Sequence, residues 1–281
     1  MPTLGRRRAL RAGALLAAPI GWLGVVYLGS LVVLLVASFW TLDEFSGLVN
    51  QGFSLANFRL IVDEPVYRTI VLRTLSIAAL VTVTDIVLAF PIAFTMAFLV
   101  KPRTRAALAV AVLLPLWASY LVKVYAWRTM FANDGVLNWL GDPLGLSVPQ
   151  SGYLRVWIVL AYLWLPYMIL PIYAGLERLP TSLLDASGDL GARPGRTLRS
   201  VVLPSIVPAI AAGSIFTFSL SLGDYITPGL VSSTQFIGNV VYANVGIADN
   251  LPLAAAFATV PVVIMLVYLL GARKAGAFEA L

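Results

Sequence analysis

The sequence predicts an all-α membrane protein with six transmembrane helices, both termini cytoplasmic, and a cytoplasmic helical segment between helices 4 and 5. Three observations predict it. Of the 281 residues, 60% are hydrophobic and 11% charged, too apolar for the surface of a soluble domain of this length. Six stretches carry few or no charges over the roughly 20 residues of helix that a bilayer core requires. Lysine and arginine then fall mainly on one side of the membrane.

The first stretch has no charged residue from Ala12 to Leu42, which gives a helix of about Leu15 to Phe39. Arg6, Arg7, Arg8 and Arg11 precede it as they would precede a signal peptide. The run is too long for the apolar core of such a peptide and lacks a convincing small-residue cleavage site, so a retained helix is expected. The second helix runs from about Thr74 to Val100 with Asp85 inside it, and the third from Ala106 to about Phe131 with Lys123 and Arg128 near its end. The fourth is Val156 to Gly175, the fifth Pro204 to Gly223, and the sixth Leu251 to Gly271. Pro19, Pro91, Pro115, Pro166, Pro171 and Pro261 lie within these spans and suggest kinks, because neighbouring groups in a membrane bundle can satisfy freed carbonyls.

With both termini inside, the inner segments hold Arg6, Arg7, Arg8, Arg11, Lys101, Arg103, Arg105, Arg178, Arg193, Arg196, Arg199, Arg273 and Lys274, which is 13 of the 19 basic residues. The outer segments collect Asp43, Glu44, Asp63, Glu64, Asp134, Asp142 and Asp249. Topology therefore accounts for the net charge of +6, and no basic stripe interleaved with aromatics points to nucleic acid. The absence of cysteine and histidine excludes disulfides, thiolate nucleophiles, imidazole bases and Cys/His metal sites. An enzyme is disfavoured for want of a paired polar constellation.

The longest inner connection, Glu177 to Leu203, reads as helices and a turn. Ser182 followed by Asp185 is a capping-box pattern, so a helix is expected from Leu183, with Leu183, Leu184, Ala186 and Leu190 on one face. Gly191 suits a helix terminus and Pro194-Gly195 a turn. The Gly191 to Thr197 stretch is not a phosphate loop. It has three residues between its glycines where four are needed, then arginine, and no preceding strand. The chain is not expected to bind ATP itself.

This stretch resembles the signature of the permease subunits of binding-protein-dependent type I ABC importers: E-A-A, three residues, G, nine residues, I-x-L-P. Here it is Asp185-Ala186-Ser187, three residues, Gly191, nine residues, Val201-Val202-Leu203-Pro204. The spacing is kept, while Asp replaces Glu, Ser the second Ala and Val the Ile. The resemblance implies a coupling helix that docks on a separate ATPase subunit through Ser182, Asp185, Ala186, Ser187, Leu190, Gly191, Ala192 and Pro204. It further implies a non-catalytic subunit of the bacterial inner membrane, in contact with lipid. Its partners would be two ATPases that use ATP and Mg, a second and different homologous permease, and an extracytoplasmic binding protein. No cofactor is expected on this chain. The family domain would cover residues 70–271, with residues 1–69 adding a tail, first helix and external loop, and residues 272–281 a cytoplasmic tail.

A second stretch, residues 221–257, is similar to spermidine/putrescine-type permeases. Gly238-Asn239 precedes a helical segment, and Asn250-Leu251-Pro252-Leu253-Ala254-Ala255-Ala256 opens the sixth helix, with Leu251 where tryptophan is familiar. Permeases for ferric iron, sulfate, thiamine and phosphonates share much of this architecture, so another small solute remains the alternative. A polycation needs carboxylates and aromatic faces at membrane depth. Asp85, Asp224, Tyr225, Trp117 and Tyr167 are the pathway candidates, with Tyr120, Tyr125, Trp127 and Trp164 as further aromatic walls or interface anchors. Asp85 calls for a compensating group, which is a cationic substrate, a cation such as Lys123, or a hydrogen-bonding neighbour. Asp224 is either a pathway residue or an interfacial one. Lys123 and Arg128 either snorkel outward or indicate an anionic or zwitterionic substrate. A self-contained secondary transporter would show a repeated half and intramembrane coupling residues, and no convincing repeat is present.

Overall fold

The computed structural model describes residues 15–43, 45–145 and 151–277. Arg6, Arg7, Arg8, Arg11 and Glu44, used above for orientation, lie outside the described residues. The chain divides into two compact units, one running up to Glu64 with Val241–Val260, the other comprising Pro65–Val240 with the chain from Pro261.

In the first unit, α1 is Leu15–Ala37, close to the expected span, and includes a wider π turn at Leu23–Leu28 after Pro19. Two strands of two residues each, β1 (Thr41–Leu42) and β2 (Val49–Asn50), pair antiparallel and are a small departure from an all-α fold. The connection is closed by Asp43, whose Oδ1 accepts the N–H groups of Phe45 at 2.9 Å and Ser46 at 3.0 Å. These bonds hold its carboxyl below the ordinary value of 3.8, with the Ser46 amide the largest cause. Helix α2 (Ala56–Asp63) is tied back by Asn57, whose Nδ2 donates to the carbonyls of Ser38 and Trp40.

The second unit opens with α3, Pro65–Leu99, a helix of 35 residues that starts nine positions before the expected Thr74. Pro65 suits a first helical turn, where its missing N–H costs nothing. The buried stripe Ile70, Thr74, Ile77, Val81, Asp85, Ala89 and Ala93 recurs every three or four residues, the period of one helical face. Thr74 and Thr82 return their hydroxyls to the carbonyls four residues back, at 2.8 Å each.

The expected third span is a correction. In place of one helix from Ala106 to Phe131 there are α4 (Pro102–Trp117) and α5 (Tyr120–Met130), bent 91° apart. Ala118 and Ser119 between them have extended backbone, with ψ of 140° and 134°. Lys123 Nζ crosses the elbow to the Pro115 carbonyl at 3.1 Å, satisfying an acceptor that the end of α4 leaves orphaned. Pro19, Pro91, Pro166, Pro171 and Pro261 stay inside continuous helices; of the suspected kink sites, Pro115 is the one followed by a break.

After α6 (Val136–Gly141) come α7 (Gly152–Glu177) and α8 (Thr181–Asp189), then α9, Pro194–Gly223, of 30 residues. The last begins ten positions before the expected Pro204, so Pro194-Gly195 starts a helix and does not form a separate turn. Pro204 is accommodated by a π segment at Leu198–Val202 just ahead of it. Helices α10 (Ile226–Val231), α11 (Ile237–Gly246) and α12 (Leu251–Lys274) complete the chain. Among the described residues, five helices are long and apolar enough to cross a membrane, or six if the bent pair counts as one span.

Helices α3, α7 and α9 form the core of this unit. Its two ends are distinct clusters, one around Ile77, Val81, Val156, Leu160 and Phe236, the other around Ala89, Ala93, Met96, Met168, Ile172 and Ile206. Small residues set the helix spacing, since a Cβ on Gly213 would come within 2.8 Å of Met168 Sδ and one on Gly175 within 2.6 Å of Ala209 Cβ.

Candidate functional site

Helix α8 is a capped, exposed knob. It begins two residues after the buried Leu179, with Pro180 at the N-cap and no side-chain capping bond. The expected capping box is thereby corrected: Ser182 is inside the helix, where its hydroxyl has no cap position to serve. The C-terminus is as the sequence indicates. Gly191 takes φ +75°, its N–H bonds to the Gly188 carbonyl at 2.8 Å, and Ala192 N–H bonds to the Ser187 carbonyl at 3.1 Å, the paired bonds of a Schellman motif. Ser187 Oγ and Thr197 Oγ1 lie 2.9 Å apart, fastening α8 to the first turn of α9.

The apolar residues of α8 do not share one buried face. Leu184 packs into the second cluster, whereas Leu183, Ala186 and Leu190 are exposed, Leu190 at 88%. Asp185 is exposed beside them. Pro204 lies two turns further along α9 and does not join the knob.

The helix feeding α8 is braced as well. Glu177, the last residue of α7, pairs with Arg105 of α4 at 3.3 Å and accepts the Tyr173 hydroxyl. Arg105 also donates through Nη2 to the Ala97 carbonyl near the end of α3 at 2.8 Å. One side chain therefore clasps the ends of three helices, and its tie to Glu177 spans 72 positions and leaves no local signal.

The pathway candidates separate into different environments. Asp224 caps the connection into α10: its Oδ1 accepts the N–H groups of Ile226 at 2.9 Å and Thr227 at 3.2 Å, and its Oδ2 accepts the Tyr120 hydroxyl. With the Tyr120 proton committed to the carboxylate, the Thr227 hydroxyl donates to the phenol oxygen at 2.7 Å. Tyr120 stacks on Trp164 with centroids 5.9 Å apart, Trp164 meets Tyr167 edge-on at 5.9 Å, and Tyr167 stacks on Phe216 at 6.5 Å. This aromatic run takes in Tyr167 and ends on Asp224, while Trp117, 90% exposed at the end of α4, and Tyr225 stand outside it.

Tyr225 explains the Gly238-Asn239 pair. Asn239 donates to the Tyr225 carbonyl at 2.7 Å and accepts Phe236 N–H at 3.1 Å, while a Cβ on residue 238 would come within 2.9 Å of Tyr225 Cβ.

Asp85 is 0% exposed, and among the described residues neither carboxyl oxygen has a hydrogen-bond partner. It sits between the two core clusters, with Val81 one turn before it in the first and Ala89 one turn after in the second. Lys123, committed to the Pro115 carbonyl, does not compensate it. Among the described residues the geometry thus gives Asp85 neither the partner cation nor the hydrogen-bonding neighbour considered above, and of the three compensating groups the cationic substrate is left.

An all-α chain of five or six apolar spans, interrupted by a glycine-terminated helix whose apolar side chains face solvent, has the construction of a transporter's membrane subunit. The family model described as "Binding-protein-dependent transport system inner membrane component" matches residues 75–273, and the chain belongs to that family. It is a type I ABC importer permease, a multi-pass protein of the bacterial inner membrane. It is 47% identical over 283 residues to the inner membrane ABC transporter permease protein YdcU of Escherichia coli (strain K12), covering 95% of this chain and 90% of that one. It is 31% identical over 232 residues to the spermidine/putrescine transport system permease protein PotB of the same organism, covering 79% and 82%. In fold it is similar to a bacterial ABC transporter involved in the import of the acidic polysaccharide alginate, with a TM-score of 0.72 at 18% identity, covering 96% of each chain.

Proposed function

We propose that this chain forms half of the translocation pathway of an ATP-driven importer for polyamine-like organic cations and that α8 is its coupling helix. In this reading the bent α4–α5 pair counts as one span, giving six, with both termini and α8 in the cytoplasm. Two ATPase subunits using ATP and Mg drive transport, a second and different permease supplies the other half, and an extracytoplasmic binding protein delivers the solute. This chain carries no cofactor and catalyses no bond-making step.

The observation that carries the coupling role is the exposure of Leu183, Ala186 and Leu190 on a helix otherwise fixed at both ends, by Leu184 and the Ser187 to Thr197 bond. Apolar side chains held rigidly at the surface of a well-capped helix are a docking face. Ser182, Asp185, Gly191 and Ala192 shape that face, and Pro204 belongs to the helix that transmits its movement.

Similarity to the spermidine/putrescine permease supports the cationic solute, as does the aromatic run from Tyr120 to Phe216, whose ring faces attract organic cations. Tyr167, Trp117, Tyr225, Asp224 and Asp85 are proposed as pathway residues, with Asp224 also orienting Tyr120 and the carboxyl of Asp85 left for a cationic solute to compensate. The test is ATPase stimulation of the reconstituted complex by its binding protein, loaded in turn with putrescine, spermidine, ferric iron or a phosphonate. Stimulation by the polyamines is expected. Stimulation by ferric iron or phosphonate alone would transfer the chain to another solute class.

A further inference from the structure

Arg73 stands in a cavity of about 540 Å³ near the start of α3, lined by Thr69, Tyr153, Ser233, Thr234 and Gln235 among others. It is the one charged side chain of that lining. Its guanidinium donates through Nη1 to the Gln235 carbonyl at 3.0 Å and lies 5.0 Å from the Tyr153 ring centroid. Its Nε is buried without a partner, and no carboxylate of the described residues pairs with it. The wall beside it is fixed, since Thr74 Oγ1 accepts Ile237 N–H at 3.0 Å and so holds the segment after Gln235 against α3. A fixed, uncompensated guanidinium among hydroxyl and amide groups is a receptor for a carboxylate.

Helix length places the cavity. With Lys101, Arg103 and Arg105 at the inner boundary, the 35 residues of α3 span about 52 Å against a core of about 30 Å, leaving about 20 Å outside. Arg73 then stands roughly 8 Å above the hydrocarbon and Pro65 roughly 20 Å above it, so the cavity opens beyond a headgroup layer of about 5–7 Å. A cationic solute is repelled there. The binding protein on which this family depends docks from that side, and a carboxylate on its docking surface is the group that complements the guanidinium.

We propose that this cavity seats an Asp or Glu side chain of the extracytoplasmic binding protein and so registers the carrier on the permease. The inference rests on the importer reading above. Its test is the binding-protein concentration that gives half-maximal ATPase stimulation of the complete complex in nanodiscs of zwitterionic lipid. Arg73→Gln is expected to raise it about tenfold and to flatten its dependence on ionic strength. Ser233 is exposed at the rim, so substitutions there test the sign of the charge without disturbing Arg73: Ser233→Asp should raise the half-maximal concentration and Ser233→Lys lower it. An unchanged value in all three variants, or a lower one for Ser233→Asp, overturns the proposal. So does an effect that appears only when anionic lipid is added, which would make the occupant a lipid headgroup. Failure of the unsubstituted complex to respond to any loaded binding protein would instead overturn the importer reading itself.

Discussion

The hydroxyls of Ser187 and Thr197 lie 2.9 Å apart, so the residue that departs from the usual alanine of the motif binds α8 to the helix that follows it. Removing either hydroxyl breaks the same bond. Ser187→Ala and Thr197→Val should therefore each lower the ratio of solute imported to ATP hydrolysed, and the double variant should be no worse than the poorer single one. The coupling in such a cycle should be about 0.5–1.5 kcal/mol. Additive losses would mean that the two hydroxyls act separately.

Gly191 needs its backbone more than its size. Nothing lies within 4 Å of a Cβ built there, yet its φ of +75° costs other L-residues about 1–2 kcal/mol. Gly191→Val should leave the protein in the membrane at normal levels with uptake largely lost, while Gly191→Asn should retain most uptake because asparagine tolerates this conformation. Equal uptake in the two variants would remove the conformational explanation.

Tyr120→Phe keeps the stack on Trp164 and deletes the bond to Asp224. A hydrogen bond to a charged group contributes about 1.5–3 kcal/mol, so the detergent-purified subunit should unfold at a measurably lower temperature. An unchanged melting curve would show that the Ile226 and Thr227 amides alone hold Asp224.

Asp85 predicts the opposite direction. A buried carboxyl without hydrogen bonds is a burden of about 1–3 kcal/mol, so Asp85→Leu should raise the unfolding temperature while lowering uptake of a cationic solute. Unchanged uptake in the stabilised variant would remove Asp85 from the pathway.

The Asp43 turn should respond to acid. Because its carboxyl is held below the ordinary value in the folded turn, the stabilisation is complete above that value and fades as pH falls through the depressed one. Hydrogen exchange at Phe45 and Ser46, corrected for intrinsic rates, should accelerate on moving from pH 5 to pH 2–3, and Asp43→Asn should abolish the difference.

The residues that were legible in the sequence are those whose chemistry is local. Gly191 announces a helix end because few other residues adopt positive φ, and an uncharged run such as Ala12 to Leu42 admits one reading. The elbow at Ala118 and Ser119 was hidden because neither residue breaks a helix, and the bond that secures it comes from Lys123 reaching back eight residues. Pro194-Gly195 has turn chemistry, but proline at a first helical position is equally favourable, and tertiary packing of Leu198 and Val202 selected the helix. The tie between Tyr120 and Asp224 spans 104 positions and leaves no local trace.

Arg105 grips two helix feet besides its own. If α8 is the coupling helix, a displacement at Thr181 is expected to enter α7 at Glu177 and to reach the ends of α3 and α4 through Arg105, so Arg105→Ala should loosen that link while leaving α8 intact. The backbone runs extended at Val100 and Lys101 between α3 and α4 as well as at Ala118 and Ser119 between α4 and α5, so the clasped helices are jointed at two places.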